Sequence, residues 1–132
     1  MMSFRLNGRT WRVQYVEPYD LRLVDRTGTL CVATTDPKTN VVYLSDELEG
    51  DFLVRVLVHE IGHCALVSFN LMDDIHRLCR PDRCVEAEEW ICNFIADYGL
   101  YIFKAAYAVL GDDAWIAVPY ELERRAYSWR LT

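Results

Sequence analysis

Two histidines four residues apart, with a glutamate directly after the first, stand out as the side chains best suited to chemistry: His59-Glu60-Ile61-Gly62-His63. On a helix, a spacing of four stacks two imidazoles one turn apart on one face. That is the geometry by which two nitrogens share one zinc ion. Glu60 projects to the side of the pair, where it can take a proton from a metal-bound water rather than bind the metal. The surroundings are apolar, with Val56-Leu57-Val58 before the motif and Ile61, Cys64, Ala65, Leu66 and Val67 within and after it. Burying a glutamate and two imidazoles there costs several kcal/mol unless something compensates them, and a divalent cation compensates all three. Gly62 leaves room for another helix or a substrate to come close. The competing explanation is a helix that carries these residues by chance. In so short a chain that pentapeptide has odds of about one in a hundred.

Catalytic zinc usually keeps three protein ligands and an open position for water. The extended motif with a third histidine fails, because Leu66 and Phe69 stand where its glycine and histidine would be. A distant carboxylate is the better candidate, and Glu86, Glu88 and Glu89 open the second predicted helix. Glu89 and Asn93 share a face, so Asn93 could orient a ligand histidine beside a ligand Glu89. Glu86 and Glu88 read as solvated residues of a first turn, where the helix dipole favours acids. His76, Asp73 and Asp74 read as surface polar residues of a loop.

The elements that must position these groups divide the chain in two. The first 45 residues read as β. Phe4-Arg5-Leu6, Asn7-Gly8 and Arg9 to Val16 form a hairpin signal, and Trp11, Val13 and Tyr15 give the second strand one apolar face. Leu21 to Val24 reads as a short strand or loop, Leu30 to Thr34 and Val41 to Leu44 as strands, with turns at 25–28 and 36–40. The rest reads as helix. Ser45 or Asp46 caps a helix over 51–69, with Glu49 three residues after Asp46. Residues 70–82 read as an irregular polar connection. Asp82 caps a long helix over 83–110 that Gly111 stops, and Gly99 marks a weak point or close contact in it. If the helices pack antiparallel, the inner face of the second includes Val85, Cys92, Ile95 and Ala96. Residues 114–118 read as extended and 119–127 as a short helix opened by Pro119. The expected fold is therefore α+β, one domain over 1–132: a small antiparallel-rich sheet (1–45), a two-helix metal-binding core (46–111) and a tail (112–132).

Composition bounds the function. With 132 residues, 52% of them hydrophobic, the chain can bury a core. A formal charge of −6 argues against nucleic acid as a partner. No apolar h-region follows Met1, and the apolar run over 54–67 is broken by Arg55, His59, Glu60 and His63, so neither a signal peptide nor a membrane span is expected. Five scattered cysteines suit a reducing cytoplasm. Cys79-x4-Cys84 resembles half of a structural zinc site, but no second half follows, and buried or loop thiols explain it better.

Val58-His59-Glu60-Ile61-Gly62-His63, with Glu89-x-x-Cys92-Asn93-x-Ile95-Ala96, resembles the ImmA/IrrE-type metallopeptidases of bacteria, phages and mobile elements. Their second helix carries Glu-x-x-Ala-Asn-x-Phe-Ala. The similarity covers about residues 4–100, specific in the helices and generic in the strands. It departs at Cys92 and Ile95, both tolerable packing changes. It implies a zincin-like fold, zinc bound by His59, His63 and Glu89, Glu60 as general base, and a protein substrate such as a repressor of a mobile element. The segment from Pro119 to Ala126 is similar to Pro-aromatic-Glu-x-Glu-Ala segments of other small phage-type zincin-like proteins, so Glu121 or Glu123 rivals Glu89 as third ligand.

The expected chemistry is peptide-bond hydrolysis, with zinc polarising the carbonyl and Glu60 moving the water's proton to the leaving amine. A substrate strand would add to an exposed sheet edge, Leu30 to Thr34 or Val41 to Leu44. Tyr98, Tyr101 and His76 are candidate oxyanion donors. Two readings compete: a non-catalytic binding or regulatory protein that keeps zinc as a clamp, and a metal-free packing module whose histidines hydrogen-bond in the core.

Overall fold

A computed structural model describes residues 2–115. It is α+β: a four-stranded mixed sheet and, among the described residues, three α-helices. The strands are β1 (Met2–Leu6), β2 (Arg9–Val16), β3 (Ala33–Asp36) and β4 (Val41–Ser45), in the order β1-β2-β4-β3. The helices are α1 (Gly50–Ser68), α2 (Met72–Leu78) and α3 (Cys84–Leu110). The chain divides into two compact units, Met1–Tyr98 and Gly99–Thr132. No single helix among the described residues is long and apolar enough to cross a membrane.

The expected hairpin forms. Asn7 and Gly8 both have positive φ, 51° and 78°, which a two-residue turn between twisted strands requires, and Leu6 pairs with Arg9 across it. Trp11 and Val13 point inward, but Tyr15 is exposed. The β4 strand pairs parallel with β2 and antiparallel with β3, so it is interior, contrary to the expectation that it offers an edge. Val41, Val42 and Leu44 are all but fully buried, as for a strand covered on both faces. The edge strands are β1 and β3, and β3 starts three residues later than expected. Leu21–Leu23 is a 3-10 turn capped by the Asp20 side chain, and Leu23 fills the core.

Helix α1 lies on the sheet. Val56 and Cys64 join Trp11, Val13, Ala33, Val42, Leu44 and Leu48 in the main core. Trp11 donates its indole N–H to Ser68 Oγ at 2.8 Å, and Asn7 donates to the Ser68 carbonyl at 2.9 Å, tying the hairpin to the end of α1. Glu49 is the N-cap of α1 and makes no side-chain capping bond, so the expected capping box does not form. Residues 70–82 are not irregular throughout. Met72, Ile75 and Cys79 recur at helical spacing, and they pack with Leu66 and Cys92 in a second small core. The acidic and basic residues between them obscured that period. Before α3, Pro81–Arg83 forms a 3-10 turn rather than the start of the helix.

The helix pair is antiparallel: Arg55 meets Asp97 and His63 meets Glu88. At the crossing a Cβ on Gly62 would stand 3.2 Å from Cys92 Sγ and 3.4 Å from its Cα. The glycine therefore sets how closely α3 approaches. Contrary to expectation, Val85 faces solvent, and the buried residues of α3 are Glu88 and Cys92. In the second unit, Gly111 (φ 61°) ends α3 and a 3-10 turn over Gly111–Trp115 follows. Ala114 and Trp115 are thus not extended, and Trp115 meets Phe103 edge-on. The expected short helix over 119–127, with Glu121 and Glu123, lies outside the described residues.

Candidate metal centre

The ligand atoms of His59, Glu60 and His63 lie within 4.8 Å of one another, in a group that could hold a metal ion. The α1 periodicity turns all three toward β3 and α3, into a cleft of about 750 Å³ whose walls include Thr34, Thr35, Tyr43 and Arg55. His59 Nε2 and His63 Nε2 face each other at 3.1 Å. Glu89, from the first turns of α3, closes the triangle: its Oε2 is 3.1 Å from His59 Nε2 and its Oε1 3.2 Å from His63 Nε2. Glu60 stands further off, with Oε2 3.8 Å from His59 Nε2. Its Oε1 accepts from the Thr35 hydroxyl at 2.9 Å, which anchors the carboxylate to the edge strand.

The donor set could hold a metal ion. Two ligands bound at about 2.0–2.1 Å in tetrahedral geometry stand roughly 3.3 Å apart, close to the spacings among the two Nε2 atoms and the Glu89 oxygens. The Nδ1 proton of His63 has its own acceptor, Glu88 Oε1 at 2.7 Å. In the neutral ring the Nε2 lone pair therefore faces a second nitrogen and a carboxylate oxygen, an arrangement that a shared cation relieves. His59 Nδ1 is buried without a hydrogen-bond partner among the described residues.

The electrostatics of the ion-free cluster follow from crowding. Burial pushes the Glu60 carboxyl above the ordinary carboxylate range, against the opposing pull of His63 and the Thr35 hydroxyl. Hydrogen bonds from His59 and His63 hold Glu89 far below that range. Burial opposes charge on His63, but Cys92, Glu88 and Glu89 outweigh it, and the imidazolium is strongly favoured.

Of the residues singled out in the sequence, the structure brings His59, Glu60, His63 and Glu89 together. Asn93 is exposed and orients neither histidine. The residue hydrogen-bonded behind His63 is instead Glu88, which was expected to be solvated. It is only 5% exposed, and it also pairs with Arg26 at 2.8 Å. Its place one turn before buried Cys92 was the signal that marked it. Arg26, from the 25–30 turn, had no such signal. Glu86 is solvated as expected and pairs with Arg83. Tyr98, Tyr101 and His76 are exposed, and Tyr98 and His76 do not line the cleft. Cys79 and Cys84 are free thiols beside the second core.

No protein-family model matches the chain, and no curated protein matches it.

Proposed function

We propose that this protein is a zinc-dependent peptidase of zincin-like type, in which His59, His63 and Glu89 hold the ion and Glu60 is the general base. The observation that carries this reading is the convergence of two Nε2 atoms and a carboxylate at 3.1–3.2 Å, with a second, buried acid beside them. Zinc, when bound, makes a water nucleophilic at neutral pH and polarises a carbonyl. The chain's own residues supply the rest. Glu60 has a raised affinity for protons because it is buried, which suits a group that takes a proton and returns it to the leaving amine. Thr35 fixes the direction of that carboxylate. The open edge of β3 runs along the same cleft, so an extended peptide can pair with it and lie across the site. The resemblance of the two helix motifs to ImmA/IrrE-type peptidases supports a cytoplasmic protein substrate, such as a repressor of a mobile element.

The test is hydrolysis of a peptide library by zinc-loaded protein beside Glu60→Gln. Cleavage by the wild type alone supports the reading. Bound zinc without cleavage of any peptide turns it toward the non-catalytic clamp.

A further inference from the structure

We propose that Glu88, clamped by Arg26, is a positioning residue that fixes the ring of His63 and so sets how tightly the site takes its metal. The inference rests on reading the site as a metal centre and concerns two residues outside the ligand set.

A glutamate this deeply buried costs several kcal/mol unless its oxygens are paired. Here each oxygen has one partner. Oε1 faces His63 Nδ1 at 2.7 Å, and Oε2 accepts from Arg26 Nη1 at 2.8 Å. A carboxylate can only accept, so Nδ1 must carry the proton and the neutral ring presents Nε2 as its lone pair. That atom is the one aimed at His59 and Glu89. The second oxygen keeps Glu88 from swinging away, because Arg26 anchors it from the opposite wall. Arg26 is itself held in a tight turn: Asp25 accepts from the Thr27 and Thr29 amides and Gly28 takes φ 83°. Its other terminal nitrogen lies 3.5 Å from Glu89 Oε1, so one guanidinium spans the Glu88 and Glu89 carboxylates of α3. No such acceptor serves His59 Nδ1 among the described residues, so the two histidines are not positioned alike. Groups hydrogen-bonded behind a ligand imidazole typically change metal affinity by about 10–100-fold when removed.

The experiment measures zinc affinity by competition with a chromophoric chelator for the wild type, Glu88→Ala, Glu88→Gln, Arg26→Ala and the Arg26→Ala/Glu88→Ala double variant, with Glu86→Ala as surface control. Circular dichroism checks folding, and Glu88→Gln keeps the volume should Glu88→Ala unfold. In parallel, nitrogen-15 NMR of the metal-free proteins follows the His63 Nδ1 proton. The expected result is about 10–100-fold weaker zinc binding in both Glu88 variants. Arg26→Ala moves the same way, the double variant is no weaker than Glu88→Ala, and Glu86→Ala is unchanged. The downfield Nδ1 proton is lost in Glu88→Ala. Wild-type affinity in folded Glu88 variants overturns the proposal. A wild type that takes up no zinc overturns the metal reading instead; the positioning role is then decided by NMR, upheld if that proton depends on Glu88 and overturned if it persists without it.

Discussion

Glu60 and Glu89 are carboxylates within one small cluster, yet their surroundings drive them in opposite directions. Burial raises the proton affinity of Glu60, while two imidazole contacts depress that of Glu89. Such a divergence suits the proposed division of one acid to proton transfer and the other to ligation. Glu60→Gln is therefore expected to keep its metal and lose hydrolysis by roughly 10²–10⁴-fold, read by zinc content and turnover on the same sample. A Glu60→Gln protein that loses its zinc would instead make Glu60 a ligand. At this scale the sequence was informative where spacing alone decides geometry, as for His59 and His63. It misled for Glu88, read as solvated beside the ligand candidate Glu89, although of these adjacent acids one lies behind a histidine and the other in front. Which does which depends on the rotation of α3 about its axis, a tertiary quantity.

That rotation is set where α1 and α3 cross. Gly62 has Cys92 against it at 3.2–3.4 Å, and Glu88 and Glu89 sit one turn before Cys92. Gly62→Leu should destabilise by about 1–3 kcal/mol through overpacking. It should also weaken zinc binding by moving both glutamates, checked by denaturant titration and chelator competition. Unchanged affinity would show that the crossing does not control the site. The hairpin was legible because Asn-Gly has one good structural use. Helix α2 was not, because Asp73, Asp74, His76 and Arg77 mask its apolar period and only Ile75 is fully buried. The interior place of β4 was missed although its unbroken apolar run over residues 41–44 is the pattern of a strand covered on both faces.

The 25–30 turn yields a pH prediction. Hydrogen bonds from Thr27, with those of Thr29 and Cys31, outweigh burial and depress the Asp25 carboxyl from its ordinary 3.8 to about 2. A carboxylate with a lowered folded-state value stabilises above its unfolded value and loses that contribution as pH falls through the folded one. The advantage of wild type over Asp25→Asn, about 1 kcal/mol at neutral pH, should persist above pH 5 and vanish between roughly pH 4 and 2. Urea titrations across that range test it; a gap independent of pH would assign the turn's stability to shape rather than charge.

For the molecule as a whole, the proposed metal site ties binding to folding. The cluster joins α1, α3 and the edge strand, and none of these elements holds the donor set alone. An ion that binds only the folded chain stabilises it by about 4 kcal/mol when present at a thousand times its dissociation constant. Chelation should therefore lower the melting temperature by roughly 10 °C or more, and zinc should restore it. A melting temperature indifferent to both would favour the metal-free packing module. The α+β class was legible from the change of hydrophobic period near residue 46. Gly99, read from the sequence as a weak point or close contact in the second helix, is where the second unit begins, although α3 runs through it as one helix.

The central claim is tested most directly by elemental analysis of untagged wild type beside Glu89→Ala and a Glu121→Ala/Glu123→Ala tail variant. The prediction is about one zinc per chain in the wild type and the tail variant, with marked loss only in Glu89→Ala. Loss in the tail variant alone would transfer the third ligand to the C-terminal segment. No zinc in any of the three, even after metal is added back, would contradict the metal centre itself.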